Sequence, residues 1–203
     1  MIAIIDYDAG NIQSVINAVE FLGEKAVLVS KPDDLVKFDK AILPGVGAFG
    51  EAMNKLKSAN LDKAICEFVA QNKPFLGICL GMQLLFEKSF EFGESDGLGI
   101  LKGSVVKFDE SKFGKNLKIP HMGWNSCEFT QDTAINRNLD KSAYLYFVHS
   151  FHVVCNDEIV LSKTNYGYDF VSSVAKDNIF GFQPHPEKSH ENGLKILKNF
   201  MEL

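Results

Sequence analysis

The chain lacks clustered basic residues and closely spaced cysteines, and both absences narrow its possible functions. Its 21 Lys and Arg residues are scattered and outnumbered by 26 Asp and Glu, which gives a formal net charge of -5. A nucleic-acid-binding surface needs concentrated positive charge, so nucleic acid is not an expected partner. The four cysteines include no Cys-x-x-Cys pair, which argues against a zinc knuckle and a redox dithiol. Cys66, Cys127 and Cys155 are expected to be buried free thiols.

Long hydrophobic runs and cofactor motifs are also missing. The apolar N-terminus, Met1 to Ile5, is too short for a signal peptide or a membrane span and meets Asp6 at once. We therefore expect a cytoplasmic protein that does not contact a membrane. The chain has no His-Glu-x-x-His, no Gly-x-x-x-x-Gly-Lys and no dinucleotide fingerprint. Neither a metal nor a nucleotide cofactor is indicated.

The remaining composition is that of one globular α/β domain covering residues 1–203. Hydrophobic residues make up 46% and charged residues 23% of the sequence. In the first half, short apolar runs alternate with amphipathic helical patterns, which predicts an open, mainly parallel sheet with helices on both faces. From Gly103 onward β-rich stretches follow one another with few helices between them, so this second half is predicted to be partly antiparallel. Residues 191–203 are predicted to form a closing helix.

Cys79 is the strongest candidate for a catalytic residue. It lies in Gly77-Ile78-Cys79-Leu80-Gly81, after an apolar run and before a helical pattern, which predicts a strand, a tight turn and a helix. This is the elbow geometry of Gly-x-nucleophile-x-Gly motifs. Main-chain N–H groups and the helix dipole at such a turn favour thiolate over thiol. The alternative is a buried cysteine in a glycine-rich turn.

His185 and Glu187 supply a candidate base and its partner. The prolines on either side of His185 cannot continue a central strand, so His185 is predicted to lie at a strand end, where α/β sheets bind ligands. Glu187 returns to the same side of an extended backbone and is placed to hold one ring nitrogen while the other faces Cys79. The alternative is a solvated Pro-rich turn. A chance coincidence of this pair with the cysteine elbow is improbable.

The segment Pro44-Gly45-Val46-Gly47 ends another predicted strand and offers main-chain N–H groups. Together with the N–H of Leu80, those of Val46 and Gly47 are predicted to form an oxyanion hole. The alternative is a simple loop. The other histidines are His121, His149, His152 and His190. The spacing of His149 and His152 places them on opposite faces of a strand and does not suit joint metal ligation, and His121 and His190 lack partners by sequence. Structural or surface roles are expected for all four.

Gly77 to Gln83 together with His185-Pro186-Glu187 resembles the class I, or triad, glutamine amidotransferases. Further blocks are similar to the glutaminase subunits of imidazole glycerol phosphate synthases, within that class; these are Asp6 to Asn11, Pro44 to Phe49, Pro120 to Asn125, Phe147 to Ser150 and Pro186 to Ser189. The resemblance implies that Cys79 attacks the carboxamide of L-glutamine, His185 shuttles protons and Glu187 orients His185. One residue departs from the family pattern, since Pro184 stands where an aromatic residue is usual.

The resemblance also implies substrate contacts and a partner. Gln83, Ser150 and Phe151 match positions that hold the glutamine backbone, and Lys188, Tyr146 and Trp124 match positions that face a (β/α)8-barrel cyclase subunit. Ammonia would pass to that subunit in a heterodimer that makes imidazole glycerol phosphate and an aminoimidazole carboxamide ribotide in histidine biosynthesis. Three alternatives remain open at the sequence level: a paralogue donating ammonia to surface-glycan amidination, a catalytically silent binding subunit, and a cysteine peptidase.

Overall fold

The computed structural model describes residues 1–8, 11–114 and 116–203. Ala9 and Gly10, in the predicted turn between Asp6 and Asn11, lie outside the described residues. The strands are β1 (Ile2–Ile5), β2 (Ala26–Val29), β3 (Ala41–Leu43), β4 (Phe75–Ile78), β5 (Phe86–Ser89), β6 (Ser95–Asp96), β7 (Leu101–Lys107), β8 (His121–Phe129), β9 (Ser142–His149), β10 (Phe151–Val154), β11 (Val160–Tyr166), β12 (Tyr168–Lys176) and β13 (Ile179–Phe182). The helices are α1 (Ile12–Phe21), α2 (Pro32–Leu35), α3 (Phe49–Ser58), α4 (Leu61–Ala70), α5 (Leu80–Leu84) and α6 (His190–Met201). Short 3-10 turns cover Glu110–Lys112, Ala134–Asn136, Asp157–Ile159 and Pro186–Lys188.

Strands β1 to β4 of the first half and β13 of the second half build the parallel part of one large sheet. Its strands lie in the order β2-β1-β3-β4-β13, and each neighbouring pair runs parallel. Successive side chains of β3 enter different cores, since Leu43 packs with α3 and α4 whereas Ile42 packs with α1 and α6. Both faces are therefore covered by helices, as the continuous apolar strands predict.

The second half is mainly antiparallel, which confirms the change predicted after Gly103. β13 pairs with β12, which continues through β10 to β7, and all three contacts are antiparallel. A branch from β12 leads through β11 to the antiparallel pair β8 and β9. This pair leaves the main path of the sheet and stands beside the carboxyl end of β13, where His185 N–H donates to the carbonyl of Tyr146 in β9.

Several elements differ from the sequence prediction. The helix α3 and the strand β8 had no predicted counterpart, because their apolar residues alternate with Gly, Asn and charged residues that weaken a periodic pattern. The helix after Cys79 is present but spans only five residues. The predicted closing helix is α6. None of the helices in the described part of the chain is long and apolar enough to span a bilayer.

Three functional segments follow the carboxyl ends of adjacent strands. The Pro44 to Gly47 segment follows β3, Cys79 follows β4, and His185 comes three residues after β13. Because β3, β4 and β13 are parallel neighbours, these segments meet at one edge of the sheet. This edge is the place that the sequence predicts for a site.

Candidate active site

Cys79 occupies the predicted elbow, in a backbone conformation that non-glycine residues rarely adopt. Its φ and ψ are 54° and -112°, and its N–H donates to the carbonyl of Phe182 at 2.7 Å. The flanking glycines are needed for this close packing. A Cβ on Gly81 would lie 1.8 Å from the carbonyl oxygen of Leu43, and one on Gly77 would lie 2.7 Å from that of Gly81. Bulk at either position would therefore block the packing of helix against strand.

His185 and Glu187 form the predicted buried pair. Nδ1 of His185 lies 2.7 Å from Oε1 of Glu187, and the side chains are 2% and 1% exposed. The other ring nitrogen, Nε2, is buried and makes no hydrogen bond within the described residues. Burial by itself lowers the pKa of His185, whereas the neighbouring Cys79 and Glu187 side chains raise it, and the net result is a pKa of about 10. The structure thus brings Cys79, His185 and Glu187 together and favours a protonated imidazole between them.

The nucleophile opens onto a cavity of about 310 Å³. Its lining includes the nucleophile, the predicted oxyanion residues and the predicted substrate contacts. The lining residues are Val46, Gly47, Cys79, Leu80, Gln83, Glu91, Pro120, Val148, His149, Ser150 and Phe151. A cavity of this volume accommodates a molecule of amino-acid size. Six residues predicted from three distant parts of the chain therefore line one cavity with the nucleophile.

Three residues whose main-chain N–H groups are free to act as donors line this space. The N–H groups of Leu80, Val46 and Gly47 donate no hydrogen bond within the described residues, and Gly47 has a φ of +99°. Tyr7 holds the segment in place, because its hydroxyl donates to the carbonyl of Pro44 at 3.1 Å. Burial, and then the charge of Cys79, raise the pKa of this hydroxyl, so it remains a donor at all ordinary pH values.

Glu91 is a cavity residue that sequence reasoning missed. Among the described residues it is the only acidic one of the lining, and one carboxylate oxygen accepts the N–H of Phe49 at 2.6 Å. That bond holds the carboxylate at the wall of the cavity that Gln83 also lines. The sequence contains no motif that marks Glu91, since it lies in a charged stretch after β5 and reaches the cavity only through the fold.

The three predicted partner-facing residues lie outside the cavity. Trp124 of β8 and Tyr146 of β9 are paired across the two strands, with ring centroids 6.1 Å apart. Trp124 is 45% exposed and stacks on His190 at 4.9 Å. Lys188 is exposed and borders a neighbouring groove that also reaches Glu187. These residues share a surface region near the triad.

One expectation about the histidines outside the triad is wrong. His121 had no predicted partner, yet its Nδ1 lies 3.0 Å from Nε2 of His149, and both rings are buried. Nδ1 of His149 in turn donates to the carbonyl of Phe151 at 2.8 Å. The pairing requires β8 and β9 to place residues 121 and 149 opposite each other, which sequence spacing does not reveal.

The cysteine expectation is only partly correct. Cys127 is buried, whereas Cys155 is half-buried and Cys66 is exposed.

Comparison with known proteins identifies the family. The family model described as glutamine amidotransferase class-I matches residues 3–203. The chain belongs to the class-I glutamine amidotransferase family.

Two similar relatives share one description. The imidazole glycerol phosphate synthase subunit HisH of Sulfurimonas denitrificans is 58% identical over 201 residues, which cover 98% of this chain and 97% of the relative. The HisH subunit of Wolinella succinogenes is 51% identical over all of both chains. The chain therefore also belongs to the HisH family. The solved structure of PurLQS from Thermotoga maritima matches with a TM-score of 0.78 at 21% identity, covering 99% of this chain and 97% of that one, and shows the shared fold.

Proposed function

We propose that this chain is the glutaminase subunit of an imidazole glycerol phosphate synthase. The observation that carries the proposal is the buried group of Cys79, His185 and Glu187, whose nucleophile lines a cavity, in a chain of the HisH family. Residues 1–203 would act as one domain, since the sheet runs through both halves. The enzyme hydrolyses glutamine to glutamate and ammonia and passes the ammonia to a cyclase subunit.

The triad geometry supports a thioester mechanism. The Cys79 sulfur attacks the side-chain carbonyl carbon of glutamine, the new S–C bond forms, and the carbonyl electron pair moves to the oxygen. The N–H groups of Leu80, Val46 and Gly47 stabilise that oxyanion. Protonated His185 gives its proton to the amide nitrogen, the C–N bond breaks and ammonia leaves. Water then attacks the thioester, His185 accepts its proton, and cleavage of the C–S bond releases glutamate and the thiolate.

The cavity wall supports recognition of a free amino acid. Glutamine carries an α-ammonium group, and Glu91 is the negative charge of the lining. Its carboxylate and the amide of Gln83 would bind that group, while Ser150 and the main chain of Phe151 border the same space. A peptide substrate has no α-ammonium at an internal residue, so a negative charge in the cavity lining favours glutaminase over peptidase chemistry.

The exposed face of β8 and β9 supports a partner protein. Met122 is 62% exposed, Trp124 45% and Tyr144 61%, and they lie on neighbouring positions of one strand pair. Such a run of exposed apolar side chains is typical of an interaction surface. We define Met122, Trp124, Tyr144 and Tyr146 as the hairpin face. The carbonyl of Val148, in the same strand as Tyr146, lies 4.0 Å from the Cys79 sulfur, so this face borders the source of ammonia. A barrel cyclase docked here would receive it.

The glycan-paralogue alternative is not favoured, because the HisH relatives match over the full chain at high identity. Pro184 is the one residue that departs from the family pattern. That residue is buried, and the His185–Glu187 bond forms next to it without an aromatic ring at this position.

The decisive experiment measures glutamate release from the purified chain with and without a cyclase subunit and its substrate. The wild type should be slow alone and accelerate strongly in the complete pair. Cys79→Ala should lose at least about 10³-fold in activity, because no other group forms the thioester. It should still bind the cyclase and keep its circular dichroism spectrum. Turnover retained in Cys79→Ala would overturn the proposal, and a glutamine analogue that fails to alkylate Cys79 would support a silent binding subunit instead.

A further inference from the structure

A buried line of polar side chains connects the cavity wall to the nucleophile. Nε2 of Gln83 donates to Oε1 of Gln183 at 2.9 Å, and Nε2 of Gln183 donates to the Cys79 sulfur at 3.7 Å. Gln183 is completely buried. The sheet register creates this contact: Ile78 and Phe182 are partners across β4 and β13, so the next residues, Cys79 and Gln183, leave the strands side by side.

The orientation of both amides follows from the available hydrogens. Gln83 uses its two N–H hydrogens on Gln183 and on the carbonyl of Phe151, which lies 3.0 Å away. Its oxygen is then the group left to face the cavity. A flipped Gln183 amide would set two nitrogens against each other and an oxygen against the sulfur. Only one orientation of Gln183 therefore satisfies every partner.

This orientation matters for the charge that the reaction needs. An amide N–H directed at sulfur stabilises the thiolate, whereas an oxygen in that place repels it. The same amide keeps the oxygen of Gln83 turned toward the cavity, where it suits an ammonium group and not a carboxylate. One buried side chain thus affects both the nucleophile and the substrate contact.

We propose that Gln183 is a positioning residue: its N–H holds the Cys79 sulfur ready for attack, and its carbonyl orients Gln83 toward the α-ammonium group of glutamine. This inference rests on the proposed glutaminase function and adds a residue that acts through its neighbours. It predicts separate effects on thiol reactivity and on substrate affinity when the two ends of the amide are changed.

The test is the pH dependence of Cys79 alkylation by iodoacetamide in the full chain, followed by mass spectrometry of the Cys79 peptide. In Gln183→Glu an oxygen replaces the N–H at the sulfur, and the pH of half-maximal alkylation should rise by about one to two units. The KM for glutamine should change little, because an acceptor for Gln83 remains. In Gln183→Met both contacts are lost. The pH of half-maximal alkylation should therefore rise, and the KM for glutamine should increase about 10-fold. Exposed Cys66 is an internal reference whose alkylation should be unchanged.

A matched control is Asn199→Leu, which removes a buried amide that bonds the carbonyls of Ile135 and Arg137. It should lower the melting temperature and leave the Cys79 profile unaltered. If both Gln183 variants behave in the same way as this control, Gln183 has only a structural role and the inference is wrong.

A second variant changes a hydrogen-bond partner of Gln183 and leaves Gln183 itself intact. Gln83→Met removes the donor that holds the Gln183 oxygen, so the amide is free to turn and the alkylation pH should again rise. If the Gln183 variants do not fold, an unchanged profile in Gln83→Met overturns the inference. Alkylation needs no turnover, so the two proposals can be tested separately. A wild-type protein that is inactive with every cyclase contradicts the proposed function. An active wild type, together with variants whose alkylation profiles are unaltered, contradicts only the role of Gln183.

Discussion

Cys79 shows how a single residue is prepared for chemistry by its backbone. A φ of 54° with a ψ of -112° costs a non-glycine residue about 1–3 kcal/mol, and such strain persists only where the surroundings enforce it. Here the enforcement comes from the 2.7 Å bond between its N–H and the carbonyl of Phe182. The strained turn directs the sulfur into the cavity while the first N–H groups of α5 lie beside it.

At the same scale, Glu91 should determine affinity and not chemistry. Glu91→Gln keeps an acceptor for the N–H of Phe49 but removes the charge that would bind the α-ammonium of glutamine. We expect KM for glutamine to rise about 10- to 100-fold with kcat nearly unchanged, as for loss of a charge-assisted hydrogen bond. Steady-state kinetics of the complete synthase measures both constants.

The matched control for that variant is Glu94→Gln, an exposed carboxylate paired with Lys88. Its kinetic constants should equal those of the wild type. A Glu91→Gln enzyme with unchanged KM would show that glutamine binds in a different orientation.

At the scale of elements, the packing of β4 and α5 against β3 depends on the absence of a side chain at Gly81. Gly81→Ala would place a methyl group 1.8 Å from the carbonyl oxygen of Leu43. Neither backbone can yield, so the variant should lose about 3 kcal/mol or more of unfolding free energy together with its glutaminase activity. Urea denaturation measures the loss. Gly114→Ala, where a new Cβ meets no atom within 4 Å, should change stability by less than about 0.5 kcal/mol.

The strands β8 and β9 carry a second element-scale feature, a buried histidine pair that makes stability depend on pH. Burial lowers the pKa of His121 to about 4 and that of His149 well below its ordinary value. In the unfolded chain both titrate near 6.5, so the unfolded state binds more protons in acid. The stabilising effect is complete above about pH 6.5 and is lost as the pH falls toward 4.

We expect the free energy of unfolding to fall by about 1–2 kcal/mol per buried histidine between pH 7 and pH 5. Urea denaturation at both pH values measures this. His121→Gln keeps a side-chain donor for His149, and its free energy of unfolding should fall less steeply with decreasing pH. His190→Gln changes an exposed position, so its free energy of unfolding should depend on pH as steeply as that of the wild type. Equal slopes in wild type and His121→Gln would contradict the assignment of the effect to this pair.

At the scale of the whole molecule, the nucleophile and the hairpin face are close together, and both are distant from the sheet edge at β2. β2 is the terminal strand on the other side of the parallel part, and its Leu28 is 50% exposed. The nucleophile and the proposed docking face therefore lie at the same end of the molecule. This arrangement shortens the path that ammonia must travel to a partner.

Trp124→Ala should accordingly weaken binding of the cyclase by about 10-fold or more, because exposed aromatic residues at an interface often contribute over 1 kcal/mol. Melting temperature should stay nearly constant, since Trp124 is 45% exposed. The effect is measured by titrating the variant with the cyclase and recording how strongly glutamate release accelerates. Leu28→Ala is the matched surface control and should bind as the wild type does. Equal binding by both variants would show that the cyclase binds a different surface.

The sequence by itself determined the local chemistry and the class of fold. Cys79 between its glycines, and His185 with Glu187 two residues on, are motifs whose geometry arises within a few residues, so their roles follow from short spacing. The alternation of apolar runs and helices in the first half likewise reflects periodicities of neighbouring residues. These inferences needed no knowledge of which strands pair.

Only the tertiary structure decided which distant residues meet. Gln183 reaches the Cys79 sulfur because β4 and β13 are in register, Glu91 reaches the cavity through its bond to Phe49, and His121 finds His149 across β8 and β9. In each case the partners are 28 to 104 residues apart in sequence. Strand order and register depend on the packing of the entire core, so no local pattern specifies these contacts.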